Sequence, residues 1–233
     1  MKSTKIVRTT GLAFAAAIFS LVCQAGPARA QGAAAALPQN PPLQTMPAQA
    51  VAAAQADFIT PQGIENFGRV SPFLFRGAQP SREGFASLKK LGIDTVIDLR
   101  DERDEIAKEQ SAVEGLGMRF LSIPWSGRHL PTEGQMVSFL QFIQGHPGLK
   151  IFVHCAQGRD RTGVMVAAYR MTLESWTPAK AVDEMHAFHY HQFMLPHLRA
   201  YVENFPKQLT ADPNLGAVLL AAKAAAPAAT NSH

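Results

Sequence analysis

The chain has 233 residues, 47% of them hydrophobic, with a formal charge of +4. That charge sits in residues 1–30, where Lys2, Lys5, Arg8 and Arg29 face no acid. The rest is formally neutral, so the basic precursor gives no argument for nucleic-acid or membrane binding. Of the two cysteines only Cys155 lies beyond that segment, which excludes an intramolecular disulfide once the segment is removed.

Residues 1–30 read as a secretory signal peptide: a positive start, an apolar stretch from Leu12 to Val22, and Ala28-Arg29-Ala30 as the cleavage site. Cleavage after Ala30 makes the mature protein secreted or periplasmic. The apolar stretch is shorter than the roughly 20 residues of a membrane span, so no transmembrane segment is expected in the mature chain. Residues 31–56 are rich in Ala, Pro and Gln and carry no charge, as an extended tether would. One compact domain is predicted over 57–211, followed by an Ala-rich C-terminal tail over 212–233, within which Leu215 to Ala225 has helical character.

Inside the domain, short apolar runs around Ser71-Pro72 predict two edge strands. Ser81 is a helix N-cap, with Phe85, Leu88 and Leu91 on one face and Gly92 as the stop. A core strand spans Asp94 to Arg100, an acidic helix runs from Glu102 to Glu114, and a further strand covers Met118 to Ile123. Thr132 and Gln135 have capping-box spacing ahead of Met136, Phe139, Leu140 and Ile143. Two helices close the domain, one opened by Thr177-Pro178 and one by Pro196. Strands alternating with helices predict an α/β fold: a central, mostly parallel sheet flanked by helices in a single domain.

The chemistry concentrates in Lys150-Ile-Phe-Val-His-Cys-Ala-Gln-Gly-Arg-Asp-Arg-Thr-Gly163. A buried strand ends at His154, and a helix that is apolar nearly all round begins near Arg161. A loop between a strand end and a helix N-terminus turns backbone N–H groups inward and adds the positive helix end, a cradle for a phosphoryl dianion. Ala156, Gln157, Gly158, Arg159 and Gly163 are its expected substrate-binding frame, with Gly158 allowing the tight curve. Thiols at such positions ionise at roughly 3.5–7.5 instead of about 8.5, so Cys155 is expected to be a thiolate nucleophile. Arg161 can place a planar fork on two phosphoryl oxygens, a geometry Lys lacks.

His154-Cys155, five intervening residues, then Arg161-Thr162 resembles the signature of the cysteine-dependent protein tyrosine and dual-specificity phosphatases. Phe75-Arg-Gly-Ala-Gln-Pro80 and Val96-Ile-Asp-Leu-Arg100 resemble exported bacterial and atypical fungal or plant members. The resemblance implies a phosphatase fold, a phosphocysteine intermediate and no metal or other cofactor. His154 would tune the cysteine, and Thr162 would hydrogen-bond the sulfur. It also implies a phosphotyrosine or phosphoserine/threonine protein substrate, or a phosphoinositide or inositol phosphate, with Arg159, Arg128 and His129 at the rim; nucleic acid is not expected as a partner, and a monomer is.

Many members carry a general-acid aspartate in a loop that corresponds to Pro124 to Glu133 here, and that stretch has none. Asp160 is the preferred acid, Glu133 the alternative, and Asp98 a third candidate better suited to organising the scaffold. The missing loop aspartate keeps a catalytically silent phosphate-binding module open as a second reading, and a sulfurtransferase as a distant third. His186, His189, His191 and His197 cluster in sequence, but a surface or packing role is favoured over zinc. The runs around Lys89-Lys90 and Asp101 to Glu105 read as solvated faces, and Trp125 either shapes the pocket mouth or packs beneath the loop.

Overall fold

The computed structural model describes residues 60–225. The segments 1–30 and 31–56 therefore lie outside the described residues. Five strands, β1 (Gly68–Arg69), β2 (Leu74–Gly77), β3 (Thr95–Asp98), β4 (Arg119–Ser122) and β5 (Ile151–His154), form one sheet in the order β1-β2-β5-β3-β4. All neighbours pair in parallel except β1 with β2. Among the described residues seven helices accompany it: α1 (Arg82–Lys90), α2 (Arg103–Gly115), α3 (Glu133–Gly145), α4 (Asp160–Leu173), α5 (Pro178–Ala187), α6 (Pro196–Ala211) and α7 (Pro213–Ala225). The architecture is the expected single-domain α/β one, a mostly parallel sheet flanked by helices, with the Cys155 loop between β5 and α4.

Strand side chains alternate between the two faces, and the two apolar cores follow that alternation. Leu74, Ile97, Ile151 and Val153 pack with the buried residues of α3 to α7. Phe75, Val96 and Phe152 face the other way, against Phe85 and Leu88 of α1 and Val113 of α2. Because β5 is hydrogen-bonded on both sides, its run from Ile151 to His154 is buried throughout.

Local signals explain most element ends. Ser81 Oγ accepts the Gly84 N–H, and Thr132 with Gln135 forms a reciprocal capping box. Gly92 and Gly117, at φ +76 and +70, reverse the chain into β3 and β4. Helix α4 is buried continuously from Thr162 to Thr172, as its all-round apolar sequence predicts.

Of the segment read as a C-terminal tail, residues 212–225 pack into the domain, and 226–233 lie outside the described residues. Helix α7 lies within it, and its Leu215 and Val218 are buried in the larger core. Gln144 on α3 donates to the Val218 carbonyl, and the Asp212 carboxylate accepts the N–H groups of Asn214 and Leu215 as a cap. The compact unit thus extends past the boundary predicted at 211. Alanine-rich composition looks the same in a tail and in a docked helix, and only tertiary packing shows that two side chains find a core. No helix among the described residues is long and apolar enough to cross a membrane.

Candidate active site

Strand β5 delivers His154 and then Cys155 at the carboxyl end of the sheet, where open α/β sheets place their sites. The loop that follows is held from behind by its carbonyls. Gln79 N–H donates to Ala156 O at 3.2 Å, Asn66 Nδ2 to Gln157 O at 3.3 Å and to Gly158 O at 3.1 Å, and Arg76 Nη2 to Gly158 O at 2.9 Å. A trans peptide points its N–H opposite its C=O. Tying these oxygens to the scaffold therefore turns the N–H groups of Gln157, Gly158 and Arg159 the other way, as the cradle reading requires.

Gly158 has φ +66, and a Cβ there would stand 2.3 Å from both the carbonyl carbon and the oxygen of Gly77. No side-chain motion relieves a clash with backbone. Gly158→Ala is expected to displace the loop, lower stability by about 2 kcal/mol or more and remove most turnover, as read by thermal unfolding beside steady-state kinetics. Wild-type values for both would show that the loop does not need this conformation.

A cleft of about 490 Å³ opens over the loop, lined by Cys155, Asp160 and Arg161, by Asp101 and Glu102, by Ser126 to Arg128, and by Leu195. Cys155 is 4% exposed at its floor. Arg161 Nη1 donates to Leu99 O at 3.3 Å, Trp125 O at 3.0 Å and Asp101 Oδ1 at 2.8 Å. Asp101, read from sequence as part of a solvated run, is thus a partner of the key arginine. Trp125 is buried in the core beneath the cleft and contributes its carbonyl. Gly163 packs in α4, where a Cβ would lie 3.4 Å from Met185 Cγ.

His154 sits on the opposite face of the sheet from the α4 side, among buried charges. Its Nε2 is 2.7 Å from Glu109 Oε1, and its Nδ1 is 3.3 Å from the Cys155 carbonyl oxygen. Glu109 also accepts from Gln79 Nε2 at 2.8 Å and from Arg100 Nη2 at 2.6 Å, and Arg100 chelates Asp98. Burial opposes the Arg100 charge, but the hydrogen bond to Asp98 and the charges of Asp98 and Glu109 outweigh it and push its ionisation up. Asp98, Glu109 and His154 bring ligand atoms within 4.8 Å of one another. The Arg100 guanidinium already occupies both carboxylates, so the donor set fits an ion-pair network better than a metal. Asp98 is fully buried in this network, the scaffold role expected of it.

The two proposed acids are separated by the fold. Asp160 lines the cleft; its Oδ1 accepts the His191 N–H at 2.9 Å and its Oδ2 lies 2.8 Å from His191 Nδ1. Arg159 Nη1 stands 3.0 Å from His191 Nε2. A guanidinium only donates, so Nε2 is an acceptor and the ring proton is on Nδ1, directed at Asp160. Glu133 lies elsewhere. It lines a separate cavity of about 310 Å³ with Tyr201, Gln208 and Asp212, and its Oε1 accepts from Asn214 Nδ2 at 2.6 Å. The alternative assignment of Glu133 as the acid is therefore corrected: the α3 N-terminus points it toward α7, away from Cys155. Thr162 Oγ1 is buried without a hydrogen-bond partner among the described residues, so the bond to sulfur implied by the resemblance is not formed in this structure. The histidine run does not assemble a metal cluster among the described residues; His191 instead bridges Arg159 and Asp160.

Sequence reasoning missed Arg76, Glu109, Asp101 and His191 as parts of the site. An arginine inside the short apolar run ending at Gly77 was a signal for the first; the other three stand among charges or histidines typical of surfaces.

A family profile described as "DSP-PTPase phosphatase fused to NAD+ Kinase" matches residues 61–197. The chain belongs to this phosphatase family. It is 30% identical over 122 residues to the dual specificity protein phosphatase TpbA of Pseudomonas aeruginosa, covering 52% of this chain and 53% of the relative. It is 26% identical over 153 residues to human phosphatidylglycerophosphatase and protein-tyrosine phosphatase 1, covering 62% and 75%. The crystal structure of P. aeruginosa TpbA superposes with a TM-score of 0.53 at 25% identity, over 70% of this chain and 98% of that one. The chain thus spans about half the length of the first of these curated relatives, and the family match over 61–197 contains the whole Cys155 loop.

Proposed function

We propose that the chain is a phosphomonoesterase of the protein tyrosine and dual-specificity type that works through a phosphocysteine. The observation that carries this is Cys155 on the floor of a cleft, at the mouth of a loop whose carbonyls are turned away and whose Arg161 is within the same cleft. The Cys155 thiolate attacks phosphorus, the P–O bond of the ester breaks, and the leaving oxygen takes a proton. Water then attacks the phosphocysteine, the P–S bond breaks, and inorganic phosphate leaves. Arg161 and the loop N–H groups hold the equatorial oxygens in both steps. The test is hydrolysis of an aryl phosphate in chelator, with acid quenching to recover phosphate on Cys155; hydrolysis without a trapped phosphoprotein would reject the covalent route.

Asp160 with His191 is the proposed proton source. The His191 N–H and Nδ1–H hold the two Asp160 carboxyl oxygens in place at the cleft; in its acid form Asp160 gives its proton to the leaving oxygen, and the resulting carboxylate takes one back from the water that attacks the phosphocysteine. Asp160→Asn is expected to slow esters of poor leaving groups by about 10²-fold and nitrophenyl-type esters far less. Equal losses on both kinds would remove Asp160 from this role.

A phosphotyrosine protein is the preferred substrate, in line with the human relative whose name includes protein-tyrosine phosphatase. A lipid-borne phosphomonoester is a second reading, supported by the loop after α5. Phe193 and Met194 are 91% and 77% exposed beside Leu195 at the cleft, and residues 185–202 hold four histidines and Arg199 with no acid. The human relative whose name includes phosphatidylglycerophosphatase fits it. Turnover of phosphotyrosine peptide, soluble inositol phosphate and vesicle-embedded phosphoinositide ranks these classes. Export, read from residues 1–30, completes the proposal, and N-terminal sequencing of the secreted chain from Gln31 tests it.

A further inference from the structure

Arg76 is the largest fully buried side chain of the domain, and it carries a charge. It stands on β2 opposite Val153 of β5, and by strand alternation points to the face that holds α4 and α5. Its guanidinium lies over the Phe188 ring at 3.9 Å, and Nη2 donates to Gly158 O. Nε and Nη1 have no hydrogen-bond partner, and no carboxylate forms an ion pair with it among the described residues. A buried guanidinium without a counter-ion is costly, and folds tolerate such groups mainly where function uses them.

The Gly158 carbonyl is already served by Asn66 Nδ2, so satisfying that oxygen does not by itself require an arginine. What Arg76 adds is permanent positive charge behind the loop that carries the nucleophile. Burial lowers its ionisation to about 10, still charged at neutral pH, with Glu184 and Cys155 supporting the charge and Arg170 opposing it.

We propose that Arg76 is a positioning residue for the phosphatase reaction: it pins the Gly158 peptide and supplies, from the sheet's α4 face, the buried cation that holds Cys155 as the thiolate. This rests on the phosphatase reading above. On the other face His154 meets the Cys155 carbonyl oxygen and Glu109, with Asp98 and Arg100 beside it. The cleft side adds Arg161 and Arg128 against Asp101, Glu102 and Asp160. Glu184 is committed to Arg170, at 2.6 Å, and leaves Arg76 as the uncompensated charge on its face.

Two variants separate charge from hydrogen bonding. Arg76→Gln keeps an amide donor for Gly158 O and deletes the charge; Arg76→Lys keeps the charge. The rate of Cys155 alkylation by iodoacetamide against pH reads the thiolate without needing turnover, and the pH dependence of aryl-phosphate kcat/KM reads it in catalysis. The acidic limb of both curves is expected to move up by about one pH unit, a tenfold loss of thiolate below it, in the Gln variant and to stay near wild type in the Lys variant. Alkylation curves unmoved in the Gln variant would overturn the proposal, as would a Lys variant shifted as far as Gln. If the Gln variant does not fold, Arg76→Met takes its place as the charge-deleting variant, since Asn66 still serves the Gly158 carbonyl, with the same expected shift and the same overturning result. Wild-type protein that alkylates at low pH but hydrolyses nothing would count against the phosphatase reading and leave the Arg76 assignment standing.

Discussion

Cys155→Ser is expected to lose turnover by about four orders of magnitude or more while remaining folded. The side chain is 4% exposed and sits at the end of a strand hydrogen-bonded on both sides, so replacing sulfur with oxygen changes little packing. The chemistry changes fully, since a serine hydroxyl is a far weaker acid and a far poorer nucleophile than a thiol. The loop N–H groups and Arg161 remain, so the variant should bind a phosphotyrosine peptide at least as well as wild type by calorimetry. Retained turnover above about 1% of wild type, well over what a lost nucleophile leaves, would reject the cysteine as nucleophile. A folded wild type that binds phosphate and hydrolyses no ester would favour the silent binding module.

Arg161→Lys is the second large effect, expected to cost about 10³-fold in kcat with a smaller change in KM. Nη1 alone spans Leu99 O, Trp125 O and Asp101 Oδ1, which leaves the rest of the fork for phosphoryl oxygens. A lysine ammonium has three donors at one point and cannot hold the cleft wall and two oxygens together. The difference grows at the trigonal-bipyramidal transition state, where the equatorial oxygens spread, so the loss belongs mainly to kcat. A lysine variant within about tenfold of wild type would mean that charge alone suffices. The comparison also probes Asp101, whose carboxylate, 43% exposed at its side chain, fixes the direction of the fork.

Much of this site is legible in the amino-acid sequence. His154 to Thr162 joins a nucleophile, a turn glycine and a fork at fixed spacing, and each depends on local geometry that neighbouring residues dictate. Ser81, Thr132, Thr177 and Pro196 likewise mark helix starts through contacts within three residues. Glu133 shows the limit. It occupies the first turn of α3 as its spacing predicts, but whether that turn faces the cleft or α7 depends on how α3 rolls against α7.

By itself the sequence determined the strand-loop-helix at Cys155, the order of elements and the inward stripes of the helices, because these rest on periodicity and caps within one segment. Only the tertiary structure decided which distant charges meet behind the loop. Arg76 reaches Gly158 across 82 residues, Glu109 reaches His154 across 45 and Asp160 reaches His191 across 31. Their partners are chosen by strand order and helix docking, which the whole core sets and no local pattern records.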